Sequence, residues 1–76
     1  MRKGQVVAEV AANVGWQLAP CKVVGTVNGC YRVKLTADRA PWKRGEELVK
    51  LSRHVGTVTR VSKFGVSWQE MPRIAE

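Results

Sequence analysis

The sequence predicts a small all-β domain, a barrel of about five strands, and three observations carry that expectation. The chain has 76 residues, enough for one domain with a single modest core, since a chain of this size buries only about 60% of its unfolded surface. Short runs of alternating apolar and polar residues recur every 8–12 residues or so, with Gly, Asn or Pro between them. The tetrapeptide Val-Gly-Thr-Val occurs twice, at Val24–Val27 and Val55–Val58, each time ahead of a second alternating run. Closure into a barrel is the expected arrangement because an open sheet of this many short strands leaves edges unprotected.

Residues 1–76 read as one barrel domain, with a basic start at 1–3 and a tail at 71–76. Residues 5–14 fit two patterns. As a strand, Val6, Ala8 and Val10 share a face; as a helix, Val7, Val10, Ala11 and Val14 fall at i, i+3, i+4 and i+7. Three valines in five residues and the following Asn13–Gly15 favour the strand. Trp16–Pro20 leads into the clearest unit, in which Cys21–Val27 and Cys30–Thr36 flank Asn28-Gly29. That dipeptide tolerates the two positive φ angles of a type I′ turn. A two-residue turn there pairs Val27 with Cys30, Thr26 with Tyr31, Val24 with Val33 and Lys22 with Leu35. Tyr31, Val33 and Leu35 then face the core, and Arg32 and Lys34 face outward. Cys21 falls opposite Thr36, too far from Cys30 for a disulfide.

Thr36–Gly45 (TADRAPWKRG) reads as a loop. Glu46–Leu51 alternates again, with Glu47, Val49 and Leu51 on one side and Leu48 and Lys50 on the other. Ser52-Arg53-His54 reads as a turn, Val55–Val61 as a strand and Ser62–Gly65 as a second turn. Phe64, Val66 and Trp68 alternate as the return strand, and Met71–Glu76 reads as irregular or briefly helical. Aligning the two tetrapeptides sets Tyr31–Leu35 against Phe64–Trp68, as one hairpin used twice. Gly25 and Gly56 are then bends at equivalent corners, because Gly weakens a strand unless the backbone must kink or be closely approached.

KGQVV (Lys3–Val7), KVVGTV (Lys22–Val27) and VGTVTRVSKFGVSW (Val55–Trp68) together resemble the KOW-type modules of the SH3-like small barrels. The resemblance implies a five-stranded curled barrel without catalytic activity, of a kind found on ribosomal proteins and transcription elongation factors, where it contacts RNA, DNA or RNA polymerase. The closely spaced Gly and Lys residues that the family carries between its first two strands are missing here, so no RNA-contacting loop is carried over.

Charge points in the same direction by a separate route. Thirteen Lys and Arg stand against six Asp and Glu, a net charge of +7. Residues 32–63 hold nine of the basic and three of the acidic residues, so most of the excess lies mid-chain. A basic surface of this kind favours a polyanion or an acidic protein face. The candidate surface is Arg32, Lys34, Arg39, Trp42, Lys43 and Arg44, with Lys50, Arg53, Arg60 and Lys63 beside it. The cations suit phosphates, and an exposed indole suits an unpaired base. Trp42 has an alternative role as a cap over the barrel mouth, while Trp16 and Trp68 are expected in the core.

Catalysis is not expected. His54 has no nucleophile in a recognisable elbow, Glu46 and Glu47 are adjacent and so on opposite strand faces, and there is no Gly-rich phosphate loop. Nothing matches the active-site strand of the plasmid-borne SH3-like dihydrofolate reductases. Two cysteines and one His with no Cys-x-x-Cys give no zinc pattern, so neither cofactor nor metal is expected. No signal peptide or membrane-spanning run is read, which makes a cytoplasmic monomer the expectation. Two functions fit: an RNA- or DNA-binding module in transcription or a related process, or a small regulator of phage or plasmid type that docks on an acidic surface of a host protein such as RNA polymerase.

Overall fold

The computed structural model describes residues 1–74. Its elements are β1 (Val6–Ala12), β2 (Gly15–Val27), β3 (Cys30–Leu35), β4 (Glu47–Lys50), a 3-10 turn (Ser52–His54), β5 (Val55–Ser62) and β6 (Gly65–Glu70). The six strands form one antiparallel sheet in the order β4-β3-β2-β1-β5-β6. The chain is all-β as expected, with six strands in place of about five. The sheet is not closed: β4 and β6 are free edges. Residues 71–74 of the tail are irregular, and the rest of the expected Met71–Glu76 segment lies outside the described residues.

The ambiguous N-terminal segment is a strand. Its periodicity of two wins because both neighbours demand it: Ala8 pairs with Ala19 on one side and Val55 on the other. The next strand is longer than its sequence suggests. Trp16–Pro20, expected as a lead-in, belongs to β2, which runs for 13 residues. Pro20 lacks a donor, but its carbonyl still accepts from Thr36 N–H at 3.0 Å, where β2 exchanges β1 for β3 as its partner.

The Asn28-Gly29 turn forms as expected, with φ of 49° and 76°. Val27 faces Cys30 and Thr26 faces Tyr31, but the pairing then shifts by one residue at Val24, so that Val23 faces Val33, Lys22 faces Lys34 and Cys21 faces Leu35. The expected Val24–Val33, Lys22–Leu35 and Cys21–Thr36 pairs are overturned by this β-bulge, which places two residues opposite one and reverses the alternation beyond it. Cys21 thereby turns inward and is buried, and both cysteines are free thiols. Burial pushes the Cys21 thiol up to about 11.

The two Val-Gly-Thr-Val copies are not equivalent. The first ends β2 at its turn, whereas the second opens β5 and is followed by four more strand residues. Gly25 pairs with Arg32 and Gly56 with Glu70. Phe64, expected in the return strand, stands in the turn before it.

The main core lies on one face of the sheet: Ala8, Val10, Ala19, Cys21, Val33, Leu35 and Val55, flanked by Val6, Tyr31, Trp42, Leu48 and Met71. The tail helps to close it, through Tyr31 O–H to the Pro72 carbonyl at 2.7 Å and Met71 N–H to the Val55 carbonyl at 2.7 Å. Val7 and Val58 are fully buried on the opposite face. Trp68, opposite Val58, lays its indole across Gly56, whose other neighbour is Val7. Gly56 is therefore a point of close approach: a Cβ there would overlap the Trp68 ring and the Gln69 carbonyl. A Cβ at Gly25 would meet only the mobile end of Arg32, at 3.1 Å.

The two glycines thus differ in a measurable way. Gly56→Ala is expected to cost about 2–3 kcal/mol by overpacking, and Gly25→Ala less than about 1 kcal/mol, both read as shifts in the urea midpoint at constant m-value. Equal costs would remove the close-approach account of Gly56.

Candidate nucleic-acid interface

Of the ten residues singled out by the sequence, Arg39 and Trp42 are used in the long loop, and the others separate into three surface places. The first is the outward face of β2 and β3. Strand alternation directs Arg32 and Lys34 away from the buried Val33 and Leu35, and the bulge at Val24 sets Lys22 directly opposite Lys34. Lys22 and Lys34, with Arg44 and Gly45 from the following loop, line a shallow depression of about 300 Å³ over Leu35 and Thr36. Lys22 is not among the candidate residues of the sequence, because an unbulged hairpin pairs it with Leu35 and points it at the core side.

The carboxylates near this face already have partners. Glu47, opposite Lys34, turns to Arg32 instead, at 2.7 Å, in the only Lys or Arg ion pair among the described residues. Both partners are about half exposed, so the pair contributes little to stability. Asp38 accepts from the Arg44 backbone N–H at 2.7 Å, and Glu46 from the Lys43 N–H at 2.8 Å. These two acids shape the loop through its backbone and leave the side chains of Lys43 and Arg44 at the surface.

The loop also accounts for Trp42 and Arg39. Arg39 and Trp42 exchange backbone hydrogen bonds at 2.8 and 2.6 Å across the cis Ala40-Pro41 peptide. Trp42 folds back beside the core, and its indole N–H donates to the Ala11 carbonyl at 3.1 Å. Arg39 Nε donates to the Leu18 carbonyl at 3.3 Å. Both residues fasten the loop to β1 and β2, and Trp42 lies against the core of an open sheet.

The second place surrounds Trp16. Expected in the core, Trp16 is 67% exposed. It begins β2 next to a hairpin tip, where no layer covers it. Its ring stacks on His54, with centroids 6.3 Å apart and planes 9° from parallel, and Lys50 Nζ lies 5.7 Å from the indole centroid. Arg53 Nε donates to His54 Nε2 at 3.3 Å, while His54 Nδ1 is buried 3.9 Å from a Glu9 oxygen. Lys50 and Arg53 thus belong with Trp16. Glu9 beside them makes this cluster less suited to a phosphate than the β2–β3 face.

The third place is the far end of the β5–β6 hairpin, with Arg60, Lys63 and the exposed Phe64. Among the described residues no helix is long and apolar enough to cross a membrane. Comparison of the chain with family models, curated proteins and solved structures gives no match.

The contrast between the tryptophans is open to test. Trp42→Phe is expected to cost about 1 kcal/mol through its lost hydrogen bond. Trp16→Phe is expected to leave stability within about 0.5 kcal/mol and to remove the most iodide-accessible part of the emission. A stability loss at Trp16 matching that at Trp42 contradicts the assignment.

Proposed function

We propose that this protein is a non-enzymatic nucleic-acid-binding module that holds an RNA or DNA backbone against the outward face of β2 and β3. One observation supports the reading most strongly: Lys22, Lys34 and Arg44 converge on one depression, while the nearby carboxylates are committed to Arg32 and to loop backbone. Cations so arranged neutralise successive phosphates and release the counterions condensed on them. A site of backbone cations reads no sequence by itself, so binding is general rather than base-specific.

The role in transcription or a related process, the cytoplasmic location and the kinship with SH3-like, KOW-type barrels belong to the same proposal. The motifs quoted above support that kinship, as does the passage of β2 from one set of partners to another, a route by which a small sheet curls on itself. The second reading, docking on an acidic surface of a host protein such as RNA polymerase, draws on a different feature. Strand β4 is a free edge, and Val49 and Leu51 on it and just beyond it are exposed beside Arg32. Such an edge can accept a strand from a partner.

Salt dependence separates the two. If about five phosphates are contacted, log K falls with log salt at a slope near −4. Replacing Lys22 and Lys34 by Ala is expected to reduce that slope by about 1.5–2. Absence of binding to RNA or DNA at low salt, together with a nuclease-resistant stoichiometric partner recovered from bacterial lysate, would transfer the assignment to the docking reading.

A further inference from the structure

The distal end of the β5–β6 hairpin is built differently from the rest of the sheet. Strand β1 accompanies β5 only as far as Thr57, and the segment before β1 adds bonds between Gly4, Gln5 and Val58. From Thr59 to Ser67 the two strands pair only with each other, as a projecting ribbon. Val61 and Phe64 are exposed on it, Phe64 at 89%. On this ribbon Phe64 presents an uncovered ring face that no other part of the fold uses.

The tip is held in one shape. Phe64 N–H donates to Ser62 Oγ at 3.2 Å, the Ser62 hydroxyl donates to the Gly65 carbonyl at 3.4 Å, and Gly65 takes a φ of +142° that side-chain-bearing residues rarely adopt. A second bulge, at Thr59, shifts the register so that Arg60 faces Ser67 rather than Val66. Arg60, Ser62 and Ser67 consequently share a face, and with Phe64, Gly65 and Val66 they line an open depression of about 340 Å³. Lys63 Nζ lies 5.2 Å from the Phe64 centroid. From residue 48 to residue 69 the chain contains no Asp or Glu. The occupant should therefore be anionic, flat and apolar on one surface, and able to form hydrogen bonds at its rim.

We infer that this depression binds one unpaired nucleotide, its base stacked on Phe64, its phosphate on Arg60 and its base edge within reach of the Ser67 hydroxyl. The inference rests on the nucleic-acid reading above and adds that the ligand is single-stranded where it meets the arm. A base in a duplex is already stacked on both faces and cannot offer one to Phe64.

The test uses the full chain and two fluorescent probes, a single-stranded oligothymidylate and a fully paired duplex, with binding followed by anisotropy at low salt. Phe64→Ala is expected to weaken the single strand by roughly 5- to 150-fold, the range for losing one stacked base, and the duplex by less than about 2-fold. Phe64→Trp should retain single-strand affinity. Phe64 supports no core residue, so the thermal transition should not move. If Phe64→Ala binds the single strand like the parent while Lys22→Ala/Lys34→Ala loses it, the nucleotide site is wrong and the broader reading stands. Equal losses on both probes overturn the unpaired-nucleotide assignment. Binding of neither probe by the parent overturns both readings, as does Phe64-dependent capture by phosphatidylserine vesicles instead of oligonucleotides.

Discussion

The side of the sheet on which Lys22 and Arg60 stand depends on two inserted residues. A β-strand alternates with a period of two, so a side chain can change face only where the ladder gains or loses a residue. The bulge at Val24 does this for β2, turning Cys21 into the core and setting Lys22 beside Lys34. The bulge at Thr59 does it for β5, releasing Arg60 from the Trp68 side and aligning it with Ser67. Each lies in or next to one of the Val-Gly-Thr-Val copies. Those copies do share a consequence, although they are not one hairpin repeated.

Packing reinforces that division of labour. The chain has few large side chains, and it buries valines on both faces of the β1–β5 region by letting Trp68 cover the gap at Gly56. Trp42 and Arg39 are consumed in fastening the long loop, and Asp38 and Glu46 in shaping it. What remains at the surface is a cationic β2–β3 face and two aromatics, Trp16 and Phe64, on different hairpins.

Much of this was legible in the residues. Asn28-Gly29 specified its turn, the alternation of Tyr31–Leu35 specified which side of β3 is buried, and the Asp, Pro and Gly of Thr36–Gly45 marked the loop. The bulges were not legible, because neither an extra Val at Val24 nor an extra Thr at Thr59 carries a signature in a run of Val and Thr, and so the neighbours of Lys22 and Arg60 could not be read from spacing. The exposure of Trp16 escapes the sequence for a related reason. Alternation gives a side chain's face, but not whether anything covers that face, and only the topology shows that the start of β2 has no layer above it. Phe64 fits both the Ser62–Gly65 turn and the alternation with Val66 and Trp68, and spacing alone does not choose between them. Sequence also cannot show whether an indole N–H has an acceptor, which is what decides Trp42.

The most direct measurement is a ¹⁵N–¹H NMR titration of the full chain with a short single-stranded oligonucleotide. The account predicts that the largest perturbations map to two patches, the backbone of Lys22, Lys34, Arg44 and Gly45 and that of Arg60–Ser67. Perturbations centred instead on Trp16 and His54, on the β4 edge, or absent at millimolar oligonucleotide would contradict it.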